Sequence, residues 1–154
     1  MLFLLFQIGN DRYGLEASQV VEVVPLVALK KIPPAPPGVA GILNYHGLLV
    51  PVIDLSEMTM GRLSESRLST RIVLVNYPMD AEKKHILGLM AEQATETIQL
   101  NPEAFSDAGV DVPEAPYLGL VAKDTRGLIQ RIDVQKLLPD AMRDRLFHPT
   151  EECV

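Results

Sequence analysis

His46, His85, His148 and Cys153 are the side chains in this sequence that could ligate a transition metal or serve as nucleophile and base. A structural zinc site needs four such ligands grouped at short spacings, and a catalytic one needs three. The histidines stand far apart in the chain, and none has a second ligand close by. A thiolate nucleophile needs a histidine within hydrogen-bond reach, and Cys153, in the terminal tail, is a poor platform for that geometry. There is no glycine-rich phosphate loop, no GxSxG elbow and no HExxH pair. Carboxylates are abundant but fall mostly in expected turns and caps; Glu92 and Glu96 are the exceptions. These residues predict neither catalytic turnover nor a bound metal or cofactor. They point to a chain that works by binding.

Bulk properties narrow what it could bind. The 154 residues suit one domain, or two very small ones sharing a core, and 47% hydrophobic content is enough to build that core. A net charge of -6 offers no basic stripe to neutralise phosphates, which excludes nucleic acid and disfavours an anionic membrane surface. The opening MLFLLFQIG is too short to cross a bilayer, which takes about 20 apolar residues. It also lacks the basic start and small-residue cleavage site of a secretory signal. It reads as a buried first strand of a cytoplasmic protein with no direct membrane insertion. The single Cys153 cannot form an internal disulfide, which suits a reducing compartment.

Such a binding surface needs a scaffold, and short apolar runs punctuated by Gly and Pro predict one made of strands. They fall at residues 2–8, 12–15, 19–24, 41–45, 48–53, 71–77, 85–91, 95–100, 117–122 and 127–132. His46-Gly47 joins two of them as a tight hairpin. Residues 32–38 hold four prolines and exclude helix or central strand, and residues 101–116 read as a polar loop. Helix is scarce. Asp54 and Glu57 have capping-box spacing, Asp133 can cap residues 134–138, and residues 140–147 predict a terminal helix with Met142 and Leu146 on one face. The fold class is all-β, with many short strands closed into barrels that hide their edges.

Two stretches carry more specific information. Regular alternation over residues 19–24 puts Val20, Glu22 and Val24 on one face and Val21 and Val23 on the other. The Glu22 face is therefore either a barrel rim with scattered surface valines or an apolar surface for a protein partner. In residues 41–55, GILNYHGLLVPVIDL, Pro51 cannot donate to a ladder and marks an edge or bulge. Gly41 and Gly47 mark backbone positions that a Cβ would not suit. This block resembles the CheW family, whose members carry an Asn-Leu-Arg-Gly turn followed by Val-Pro-Val-Ile-Asp-Leu. Here the two segments stand as Asn44-Tyr45-His46-Gly47 and Val50-Pro51-Val52-Ile53-Asp54-Leu55. The resemblance extends upstream over FQIGNDRYGLEASQVVEVVP, including Phe6, Tyr13, Gly14, Val20 and Glu22, and downstream over HILGLMAEQATETI and IDVQKLL.

The resemblance implies two small five-stranded SH3-like barrels packed on a shared hydrophobic interface, with short helical turns. The first barrel is expected at residues 15–82, the second at 1–14 with 83–138, and a C-terminal helix or tail at 139–154. It also implies a chemosensory adaptor that couples the cytoplasmic tips of methyl-accepting receptors to the regulatory domain of a CheA-type histidine kinase, recruited to membrane receptor arrays. The family's receptor-facing positions match Val20, Glu22, Gly41 and His46, with Asn44 and Tyr45 on the same turn. The apolar strand that follows puts Leu48, Val50 and Val52 at the kinase face. On this expectation a Gly41→Trp variant stays folded and loses receptor coupling. The chain departs from the family at His46, usually Arg, at Tyr45, usually Leu, at Glu92, usually Asp, and at Gln93, frequently Gly. These departures suggest a specialised partner set, similar to that of surface-sensing Wsp-type systems that feed cyclic-di-GMP synthesis. Two alternatives remain: a CheW-like domain cut from a larger CheV-type or kinase protein, which the native-looking Met1 disfavours, and a small β-barrel ligand-binding protein.

Overall fold

A computed structural model describes residues 1–31, 38–78, 84–107 and 117–138. The proline stretch at 32–37, most of the turn at 79–83, the later part of the polar loop at 108–116 and the expected terminal helix lie outside the described residues.

Among the described residues, nine strands and one short α-helix follow in order: β1 Leu2–Ile8, β2 Asp11–Glu16, β3 Val20–Pro25, β4 Val39–Tyr45, β5 Leu48–Asp54, α1 Leu55–Met60, β6 Arg71–Pro78, β7 Lys84–Gln99, β8 Leu118–Asp124 and β9 Gly127–Ile132. Two circuits of pairing share β7. In one, β3 pairs with β6, β6 with the first half of β7, that half with β5, and β5 with β4. Reciprocal backbone bonds between Lys30 and Ile42, at 3.0 and 2.8 Å, return the chain after β3 to β4 and complete the ring. In the other, the second half of β7 pairs with β1, β1 with β2, β2 with β9 and β9 with β8. Ser106 and Val121, bonded reciprocally at 2.9 Å, close it.

Strands β6 and β1 are apolar on both faces because both faces are covered. Ile72 and Leu74 of β6 point into the first ring with Leu43, Val50 and Val52, while Val73, Val75 and Tyr77 point away into the largest core cluster. That larger cluster draws Leu4, Phe6 and Ile8 from β1, Leu87 and Leu89 from β7, and Val134, Leu137 and Leu138 from beyond β9. Phe3 faces the opposite way, into the second ring with Phe105 and Ala122. A two-sided strand reads as a continuous apolar run, which is the pattern of residues 72–75.

The strands expected at 85–91 and 95–100 are one strand, β7. Their junction carries Gln93 with φ +54, inside the irregularity where β1 changes register from Leu5–Glu96 to Gln7–Glu92. The loop after α1 docks here: Ala94 donates its N–H to Ser69 O at 3.0 Å, and Glu92 accepts from Glu65 N at 2.6 Å. A left-handed conformation costs a residue with a Cβ about 1 kcal/mol, and glycine's greater freedom when unfolded returns part of that. A Gln93→Gly variant is expected to gain roughly 0.5 kcal/mol, read as a higher denaturant midpoint at unchanged slope.

A pair distant in sequence joins β2 to the end of β8, across the intervening β9. Arg12 Nη1 of β2 donates to Asp124 Oδ2 at 3.0 Å, Nη2 bonds the other oxygen, and Arg126 N adds a third bond at 2.8 Å. The Arg12 hydrogen bond, with help from Arg126, holds the Asp124 carboxyl down at about 2. Because that value lies below the unfolded one, the pair stabilises the fold above pH 4 and loses its effect as pH falls toward 2. Asp124→Asn is therefore expected to cost on the order of 1 kcal/mol at neutral pH. The gap to the parent protein should close in denaturant titrations repeated between pH 4 and pH 2.

Candidate protein-interaction site

The β4–β5 hairpin turns through two residues, His46 at φ +52 and Gly47 at φ +88, with Tyr45 opposite Leu48. Two successive positive φ values make the type I′ turn that matches strand twist. Asn44 Oδ1 accepts from Gly47 N at 2.9 Å and stiffens it. The expected tight hairpin is present.

Tyr45 lies half-buried against the first ring's core and reaches across to β3, where its hydroxyl donates to Glu22 Oε1 at 2.5 Å. The carboxylate bond raises the Tyr45 hydroxyl above its usual pKa, so it remains a donor through the neutral range. The His46 ring sits 4.5 Å from the Tyr45 ring, tilted by 59°. The fold thus brings Glu22, Asn44, Tyr45 and His46 to one rim. Val20 and Gly41 are set apart from it. Val20 is partly buried against the largest core cluster, and Gly41 is buried with φ +151. A Cβ on Gly41 would stand 2.7 Å from Lys30 O and 2.9 Å from Leu29 Cβ.

Alternation in β3 fails because an extra residue interrupts its pairing with β6 between Val20 and Glu22. Val20 and Val23 therefore share the larger core, Val24 faces the smaller one, and Val21 and Glu22 both reach solvent. Val21 is a rim residue that strict period-two counting hides. On β5, Val50 and Val52 are fully buried in the first ring and offer no side-chain surface, which corrects their placement at a partner face. The exposed residues of that strand are Leu48 and Leu49, at 51% and 67%.

The Asp54 end of the block is structural. Asp54 is 2% exposed and its carboxylate accepts from Ser56 N, Glu57 N, Ser64 N and Ser64 Oγ. Glu57 completes the cap differently from a reciprocal box, by accepting from Gly38 N at 3.0 Å. A groove of about 790 Å³ passes both carboxylates, between the chain after β3 and the loop after α1. Both are already committed to backbone and hydroxyl donors, so the groove presents no convergent acid–base pair. Among the described residues, no three His, Cys, Asp or Glu side chains group to hold a metal, and no helix is long and apolar enough to cross a membrane.

Comparisons with known proteins agree with this architecture. The profile of the CheW-like domain matches residues 2–142. A chemotaxis protein CheW of Klebsiella aerogenes is 26% identical over 139 residues, covering 88% of this chain and 80% of the relative. One of Bacillus subtilis is 23% identical over 137 residues, covering 88% and 85%. One of Treponema pallidum is 29% identical over 142 residues, covering 86% and 78%. The crystal structure of the scaffolding protein TtCheW from Thermoanaerobacter tengcongensis superposes with a TM-score of 0.79 at 24% identity, over 92% of this chain and 89% of that one, which shows a shared fold. With a family profile spanning nearly its full length, this chain belongs to the CheW-like domain family.

Proposed function

We propose that this chain is a non-catalytic chemosensory adaptor that couples the cytoplasmic tip of a methyl-accepting receptor to the regulatory domain of a CheA-type histidine kinase. It works in the cytoplasm and joins receptor arrays by binding. The observation that carries the reading is the first-ring rim, where Glu22, Tyr45 and His46 stand together beside the exposed apolar residues Val21 and Leu48 on a CheW-like fold. A rim that mixes fixed polar groups with exposed apolar side chains suits protein recognition. Leu48 and Leu49 supply the kinase contacts, while the rim of Glu22, Asn44 and His46, with the Tyr45 ring beneath it, faces the receptor. The division into barrels at 15–82 and 1–14 with 83–138 belongs to the same proposal, with β7 as the strand common to both pairing circuits. Pairwise contacts can be weak, because an array supplies many at once.

Calorimetry against the regulatory domain of a CheA-type kinase and a receptor tip hairpin from the same organism tests the reading. Saturable binding of both is expected; failure to bind any such kinase domain overturns it. His46→Arg is expected to shift preference toward a flagellar-pathway receptor. A charge-assisted bond contributes about 1.5–3 kcal/mol, so the gain is roughly tenfold or more. Unchanged relative affinities for the two receptors would remove His46 from discrimination.

A further inference from the structure

We propose that Tyr45 is the positioning residue of this rim: its hydroxyl holds one oxygen of Glu22, fixes the β4–β5 turn against β3, and leaves the second oxygen for a partner that brings a hydrogen-bond donor within an apolar surface. The partner's identity rests on the receptor-coupling reading; the latch itself does not.

The seam makes the case. Strands β3 and β4 are the two ends of the first pairing circuit, so their facing edges are not laddered to each other. Among the described residues, backbone hydrogen bonds cross the seam only at Lys30 and Ile42. The Tyr45–Glu22 bond is a second tie, three residues along β4 from the first. Without it no hydrogen bond among the described residues would hold the hairpin tip, with its exposed His46 and Leu48, to β3. A leucine at position 45 could fill the same core space but could not donate. Glu22 receives no other hydrogen bond from a described residue, so its remaining oxygen is an oriented acceptor rather than a freely turning carboxylate. Val21 precedes Glu22 in the chain and is 40% exposed, which gives that acceptor an apolar neighbour. The complementary partner carries an arginine, lysine or side-chain amide among apolar residues; an acidic contact would meet a like charge.

Tyr45→Phe removes the hydroxyl while keeping the ring, so packing is preserved. In the full chain it is expected to speed amide exchange at residues 44–48 about tenfold and to weaken binding of the receptor tip hairpin by a similar factor. Glu22→Gln keeps an acceptor for Tyr45, so exchange should stay near that of the parent protein while partner affinity falls. The double variant should bind no worse than Tyr45→Phe alone, since both changes act on one unit. Exchange unchanged within twofold in Tyr45→Phe overturns the latch, including the case where affinity falls, because the hydroxyl would then touch the partner directly. If the parent protein binds no receptor tip, the coupling reading fails while the exchange result still decides the latch.

Discussion

Gly41→Trp is expected to unfold or severely destabilise the first ring, not to leave a folded protein that merely fails to bind a receptor. The site of a Cβ on Gly41 is 2.7 Å from a backbone oxygen, that of Lys30, and 2.9 Å from Leu29 Cβ. The next residue, Ile42, makes both hydrogen bonds with Lys30 that close the ring. Any side chain must therefore push the chain after β3 away from β4, breaking the closure and opening the core beneath Leu29. Overpacking costs about 1–3 kcal/mol where a core can adjust, and a backbone oxygen in a closing bridge adjusts poorly. A loss of about 3 kcal/mol or more is expected, with a melting temperature lower by about 6 °C or more for a domain of this size. Gly41→Ala should lose less, but in the same direction. If Gly41→Trp melts within about 2 °C of the parent protein and no longer binds the receptor tip, the glycine is an interface residue after all.

The reason this was illegible from sequence extends to much of the site. A pattern of residue types reports local period and local punctuation. It found β1 and β6, the His46-Gly47 turn and the Asp54 cap, each of which depends on neighbours in the chain. It marked Gly41 and Gly47 alike as positions unsuited to a Cβ. Gly47 has nothing within 4 Å of its Cβ site and is needed for its positive φ, whereas Gly41 is needed for a close approach by another segment. Contacts such as Arg12 with Asp124 or Thr59 with Tyr117 join residues far apart in sequence and leave no local trace.

Burial direction was equally hidden. In a strand covered on both faces, alternation separates two sets of side chains without saying which set meets solvent. Leu48, Val50 and Val52 share a face, yet only the residue at the hairpin tip emerges from the ring. In β3 the extra residue at Val21 reset the count, and a bulge of that kind has no fixed residue signature. Two of the departures from the family pattern did become interpretable. Gln93 and His46 are the non-glycine residues with positive φ among those described, so both sites constrain the backbone as well as any partner.

Asp54→Ala is expected to cost roughly 3 kcal/mol and to loosen the loop that follows α1. The carboxylate is buried and gathers four donors from two directions. Ser56 N and Glu57 N belong to the first turn of α1, while Ser64 N and Ser64 Oγ belong to the loop that returns toward β6. Removing a helix cap costs about 0.5–2 kcal/mol, and leaving the partly buried donors of Ser64 unsatisfied adds about 1 kcal/mol or more. The backbone at the same residue donates to Gly38 O at 2.7 Å, so the junction of β5, α1 and the start of β4 meets at this point. Asp54→Asn should cost less, since its carbonyl still caps α1, but its amide cannot accept from Ser64 N. Denaturant titration at constant slope measures both losses, and faster amide exchange at Ser64 locates them. Partner affinity, measured where the variant remains folded, should stay within about threefold of the parent protein, because Asp54 points into the structure and away from the Glu22–Tyr45 rim. A variant that keeps full stability but loses partner binding would make Asp54 a contact residue and refute its role as the post that ties helix, loop and strand together.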